Sequence, residues 1–119
     1  MRFLGFRRDM PSVLAACDVL IHPARYEAYG LAVHEAICRG LPAVVTADAG
    51  VAEQYPQDLE CPLLRDPNSA AELEAHLLAW RGDADIPHHV AAVASRLRAP
   101  SWDHMSRDIV DIVEGTKAS

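Results

Sequence analysis

Apolar positions follow two periods along this chain, and the change of period separates strands from helices. Short continuous apolar runs stand at "DVLIH" (18–22) and "PAVVT" (42–46). Aliphatic, β-branched runs of this kind predict strands covered on both faces, as in parallel sheets. "RFLGF" (2–6), broken by Gly5, predicts a further strand and turn. "CPLLR" (61–65) predicts a last short strand, which Pro62 confines to an edge. Between these runs the apolar spacing lengthens to the three and four of a helix. Val13, Leu14 and Cys17 predict one helix, with Asp9 as its cap and Pro11 in its first turn. Residues 30–39 predict a second, with Gly40 as its stop. "ADAGVAEQYP" predicts a turn with a short helix, and amphipathic or Pro-opened helices follow over 69–80, 86–98 and 101–115. The last of these carries Trp102, Met105, Ile109, Ile112 and Val113 on or near one stripe. Trp80 and Trp102 accordingly read as core or interface residues. Strands alternating with helices predict βαβ units in the α/β class, with a parallel sheet of about three to four strands.

Composition narrows this picture. At 119 residues the chain reads as one domain, of a size that buries roughly two thirds of its unfolded surface. A net charge of -6 and a single lysine, Lys117, argue against a sequence-independent grip on nucleic acid, which needs a basic face. Cys17, Cys38 and Cys61 are widely spaced in apolar surroundings with no CxxC pair. They predict reduced, buried thiols in a cytoplasmic protein. No run approaches the roughly 18 apolar residues of a transmembrane segment, and no apolar stretch follows the first arginines as in a signal peptide. The chain opens directly on a strand-like run, as if inside a domain. His88, His89 and His104 lie on a polar helix surface without the spacing of known metal sites, so no metal is expected.

The chemistry concentrates in "HPARYEAYG", which carries the chain from the 18–22 run into the helix at Gly30. Ligands of open α/β sheets bind beyond the carboxyl ends of the strands. A helix start offers free amides and a partial positive charge, which suit phosphate. Gly30 permits close approach of a ligand to the backbone. Glu35, one turn into the helix, is expected to lean toward its start. A carboxylate repels phosphate but suits hydroxyls, as the acid of dinucleotide sites suits a ribose diol. Glu27, in the loop, can meet a second set of hydroxyls. Amides for a diphosphate flanked by acids for polyols describe a nucleotide sugar. The competing reading is that both glutamates are solvated acids near a helix start, where negative charge is favoured.

The ordered set "FLG", "CDVLIHP", Glu27-x7-Glu35, "EAICRGLPAVV" and "DAGVAE" resembles the retaining GT-B glycosyltransferases of the family 4 (group 1) type, over residues 2 to about 56. Residues 66–119 match only in outline. The resemblance implies a partial Rossmann-like fold, the C-terminal donor-binding domain of such an enzyme. It implies sugar transfer, with retention, from a nucleotide diphosphate sugar to a glycan, lipid or cell-envelope precursor. By the same likeness, Glu35 holds the nucleotide's ribose hydroxyls. Glu27 contacts the donor sugar at the reacting face, as the catalytic candidate. The amides of Tyr29, Gly30, Leu31 and Ala32 hold sugar and diphosphate. Gly5, Phe6 and Arg7 meet the base, although a solvated Arg7 is an equal reading. His22 and Pro23 shape the pocket floor, and Glu53 matches a recurring acid. No cofactor or metal is implied, and there is no Asp-x-Asp motif. The acceptor-binding N-terminal domain, and the Arg and Lys that neutralise the leaving diphosphate, have no counterpart here. The chain alone is therefore expected to transfer sugar poorly. Its last helix, which in such folds returns to the N-terminal domain, is expected to expose apolar surface and to allow self-association. The full enzyme leaves room for peripheral membrane contact. The alternatives are a non-catalytic nucleotide-sugar-binding module and an interaction unit that completes a separate N-terminal half.

Overall fold

The two apolar runs pair side by side. In the computed structural model, which describes residues 1–55, 63–99 and 101–115, three strands form a parallel sheet in the order β1-β2-β3. They are β1 (Leu20–His22), β2 (Ala43–Thr46) and β3 (Leu63–Leu64). Register sets His22 beside Val45 and Thr46 beside Leu64, so all three strands finish along one edge. Helix α2 (Leu31–Cys38) makes the crossover from β1 to β2 that a parallel pair requires. The remaining elements are α1 (Met10–Ala15), a 3₁₀ turn (Gly50–Gln54), α3 (Ala70–Gly82), α4 (Ile86–Arg98) and α5 (Trp102–Val113). This open parallel sheet with flanking helices is the α/β arrangement expected from the alternating periods and is consistent with the partial Rossmann-like fold that the resemblance implied.

Burial explains the order. The central strand β2 is buried at all four positions. Helices α2 and α4 pack together, joining Val33 and Ile37 to Val93 and Leu97, with Val45 and Val51 in the same cluster. Full burial of such side chains stabilises by about 1.5–3 kcal/mol each. A smaller cluster of Leu14, Ala36 and Leu41 fixes α1 under the other side of α2. Helix α2 stops where Gly40 takes φ +83. Gly40 N–H then donates to Ile37 O at 2.9 Å and Leu41 N–H to Ala36 O at 3.0 Å, the paired bonds of a Schellman motif. At α3, the Ser69 hydroxyl accepts from the Glu72 amide, while the Glu72 carboxylate accepts the amides of Arg65 at 2.8 Å and Asp66 at 2.9 Å. Those amide bonds hold Glu72 below the usual glutamate range and tie the end of β3 to the helix.

Several expectations are corrected. "RFLGF" is not a strand: residues 1–9 pair with none, and Phe3 and Phe6 are 85% and 89% exposed. A short apolar run has no strand stability without a neighbour to pair with. Asp9 does not cap α1 through its side chain; its carboxylate is taken by Arg7. The 18–22 run is not covered on both faces: Leu20 and His22 are half-buried and Ile21 remains exposed. Cys17 is exposed and Cys38 half-buried, while Cys61 lies outside the described residues. The α3 stripe of Leu73, Leu77 and Trp80 is only half-buried. The α5 stripe, by contrast, is exposed from Trp102 through Met105, Ile109 and Ile112 to Val113, as expected for the last helix, so Trp102 is not a core residue. Edge placement is borne out for β3.

Candidate functional site

The loop after β1 is held by its neighbours at both ends. Thr46, at the end of β2, donates its hydroxyl to Ala24 O at 2.8 Å. Arg25 Nε donates to Asn68 Oδ1 at 2.8 Å, joining this loop to the one after β3. Val51 N–H donates to Tyr29 O at 2.7 Å. Gly50 permits that approach: a Cβ there would lie 2.5 Å from Ala28 O. Gly30 is the N-cap of α2 at φ +101, a conformation that favours glycine. Loop and helix start therefore sit over the carboxyl ends of β1 and β2, the position from which open α/β sheets bind ligands.

Glu27 occupies the middle of this frame, half-buried. Its Oε2 lies 3.1 Å from His22 Nε2, and its Oε1 accepts the Tyr29 amide at 3.3 Å. The His22 hydrogen bond, then the Tyr29 amide and more weakly the Gly30 amide, hold its carboxyl below the usual glutamate range against the opposing effect of desolvation. At neutral pH it is an acceptor-only group. Two oxygens offer about four acceptor sites, so these contacts leave capacity for hydroxyl donors. Tyr29 turns its phenol to His34 Nδ1 at 2.8 Å, and partial burial raises the phenol pKa.

The structure brings Glu27, Tyr29 and Gly30 together with the exposed first residues of α2, Leu31 and Ala32. No side chain caps that helix start. Within the group, the Tyr29 amide is already bonded to Glu27. Glu35 stands on the exposed surface of α2, and its Oε1 accepts from Arg39 Nε at 3.3 Å. An arginine four residues on is a ready partner for an exposed helical glutamate. Gly5, Phe6 and Arg7 are exposed, and Arg7 is engaged with Asp9 at 2.5 Å. Among the described residues no hydrogen bond ties 1–8 to the loop that holds Glu27. His22 ends β1 as expected, Pro23 follows it exposed, and Glu53 is exposed in the 3₁₀ turn. No group of three or more His, Cys, Asp or Glu among the described residues is arranged to hold a metal ion. Thr46 was not singled out from the sequence. The available signal was a hydroxyl residue closing an otherwise apolar strand, "AVVT".

Comparison with known proteins gives a consistent picture. The family described as "Glycosyl transferases group 1" matches residues 1–95. The lipopolysaccharide glucosyltransferase WaaG of Escherichia coli K12 is 39% identical over 74 residues, 61% of this chain and 20% of that protein. The O-antigen chain mannosyltransferase B of Escherichia coli is 31% identical over 115 residues, 93% of this chain and 29% of that protein. The chain thus spans less than a third of the length of either relative. No solved structure matches it.

Proposed function

This chain belongs to the group 1 glycosyl transferases, and from that premise we propose that it forms the donor-binding part of a retaining glycosyltransferase of the GT-B type. The donor is a nucleotide diphosphate sugar. The free amides of Leu31 and Ala32 receive the diphosphate, helped by the partial positive charge of the helix start. Glu27 accepts hydroxyls of the transferring sugar, and Glu35 accepts those of the ribose after exchanging Arg39 for the ligand. Gly5, Phe6 and Arg7 reach the base by a rearrangement of the N-terminal segment on binding. No metal takes part in this reading. The chain works in the cytoplasm, together with an N-terminal GT-B domain that binds the acceptor. The names of the relatives favour a cell-envelope glycan as that acceptor.

The observation that carries the reading is the placement of Glu27 beside the uncapped start of α2, over the carboxyl ends of two parallel strands. Ionised acceptor and free donors stand side by side there, which matches a ligand with hydroxyls next to a diphosphate. Calorimetric titration with UDP-glucose, GDP-mannose and ADP-glucose tests it. One of these should bind, and both Glu27→Gln and Glu35→Ala should weaken that binding. If both variants bind as tightly as the unmodified chain, the donor site is elsewhere.

A further inference from the structure

Thr46 is the buried polar residue of the described core, 2% exposed, at the last position of a strand that is otherwise Ala43, Val44 and Val45. A hydroxyl in such a place costs free energy unless it is bonded. Its bond at 2.8 Å goes to Ala24 O, with His22 O at 3.4 Å. Both carbonyls belong to the stretch that leaves β1 for the loop. At the far end of that loop, Val51 N–H holds Tyr29 O at 2.7 Å. Glu27 lies between these two fastened points, and its own carboxylate reaches back to His22 and forward to the Tyr29 amide.

Resting on the donor-binding reading above, we propose that Thr46 is a positioning residue for Glu27. Its hydroxyl fixes the backbone at 22–24, and so sets both the His22 ring and the start of the loop from which the Glu27 carboxylate is presented to the donor's hydroxyls. Thr46 touches no ligand in this account. Without its hydroxyl the Ala24 carbonyl loses a partner, the loop keeps its Arg25–Asn68 and Val51 fastenings but not the one next to β1, and the His22–Glu27 pair loosens. A catalytic acceptor must be held in its productive geometry by surrounding groups whose own conformations are locked. A strand-end hydroxyl bonded across to a neighbouring loop provides such a lock.

The test compares Thr46→Val, which keeps shape and removes the hydroxyl, with Thr46→Ser, which keeps the hydroxyl. Three quantities are read on the 119-residue chain: unfolding by denaturant, the carboxyl titration of Glu27 by NMR, and calorimetric affinity for UDP-glucose, GDP-mannose and ADP-glucose. In Thr46→Val the Glu27 titration should move up toward that of an ordinary glutamate. Affinity for the bound sugar nucleotide should fall about five- to tenfold, the scale of one lost hydrogen bond. Thr46→Ser should retain both properties. A folded Thr46→Val with an unchanged Glu27 titration overturns the proposal and leaves the donor reading standing. A Thr46→Ser variant whose Glu27 titration also moves up overturns it too, since methyl packing would then set the carboxylate, even if Thr46→Val does not fold. A shifted Glu27 in Thr46→Val, in a chain that binds none of the three sugar nucleotides, supports the anchoring and sinks only the donor reading.

Discussion

Replacing Gly30 by alanine should cost this chain a large part of its stability, for two separable reasons. The first is backbone: φ at Gly30 is +101, and an L residue forced into left-handed space loses about 1–2 kcal/mol. The second is packing: a Cβ there would stand 2.9 Å from Val51 Cγ1. Val51 is fully buried and cannot swing away, and overpacking of this kind adds about 1–3 kcal/mol. The sum is about 2–5 kcal/mol, set against a total stability of about 5–15 kcal/mol for an ordinary domain. A double-mutant cycle separates the two parts. Val51→Ala removes the clashing methyl and by itself costs about 2 kcal/mol for the lost burial. In that background Gly30→Ala should cost only its backbone share, leaving a favourable coupling of about 1 kcal/mol or more between the two positions. Urea unfolding of the four proteins measures every corner. A Gly30→Ala chain within about 0.5 kcal/mol of the unmodified one, the range of a neutral surface change, would show that α2 does not start on a strained, closely packed glycine. Strictly additive losses would show that Val51 is not what the added Cβ meets.

Further expectations concern charge and surface. Glu35→Ala should leave stability nearly unchanged, because an exposed i,i+4 pair contributes about 0.5 kcal/mol or less. It should weaken sugar-nucleotide binding by about 1–3 kcal/mol, the range for losing hydrogen bonds to a charged group; calorimetry that finds the binding unaltered removes Glu35 from the site. Acid unfolding should depend on Glu27. Its folded carboxyl titrates below the usual 4.5, so the stability it lends is complete above that value and is lost as pH falls through the lowered one. Glu27→Gln should flatten that part of the stability–pH curve, and an identical acid limb would contradict the His22 and Tyr29 bonds. Gly50→Ala should break the seating of the 3₁₀ turn on the loop, because the added Cβ would meet the Ala28 carbonyl, a backbone atom with little freedom to move. Loss of cooperative chemical-shift dispersion for residues 24–30 reads this out. On α5, Ile109→Asp with Ile112→Asp should reduce binding of a hydrophobic dye with little loss of stability, since those side chains are 53% and 67% exposed. A marked drop in unfolding midpoint would mean that they are packed.

Period and punctuation in the sequence were enough for the framework. A four-residue apolar run that contains β-branched residues has one low-energy use in a domain of this size, a strand buried between layers, and β2 is that strand. Gly40 and Pro87 mark a helix end and a helix start because one tolerates positive φ and the other lacks an amide, properties fixed by covalent structure. The group Glu27–Tyr29–Gly30–Leu31 was legible for the same local reason: a strand end, a loop and a helix start follow one another in the chain, so their residues are brought together by short-range geometry. Tertiary structure alone decided the rest. "RFLGF" has the composition of a strand but finds no strand to pair with, and strand identity is a property of the pair. Ile21 is as apolar as Val44, yet it is exposed and Val44 is buried, because burial depends on which faces of the sheet the helices cover. Glu35 pairs with Arg39 on the exposed surface of α2, a choice between rotamers that no spacing records. Thr46 reads as an ordinary strand residue until the fold brings its hydroxyl, 22 positions away in sequence, under the carbonyl of Ala24. Hydrogen bonds between segments distant in the chain depend on where packing sets the backbone, and that is the information a linear pattern of apolar and polar residues does not contain.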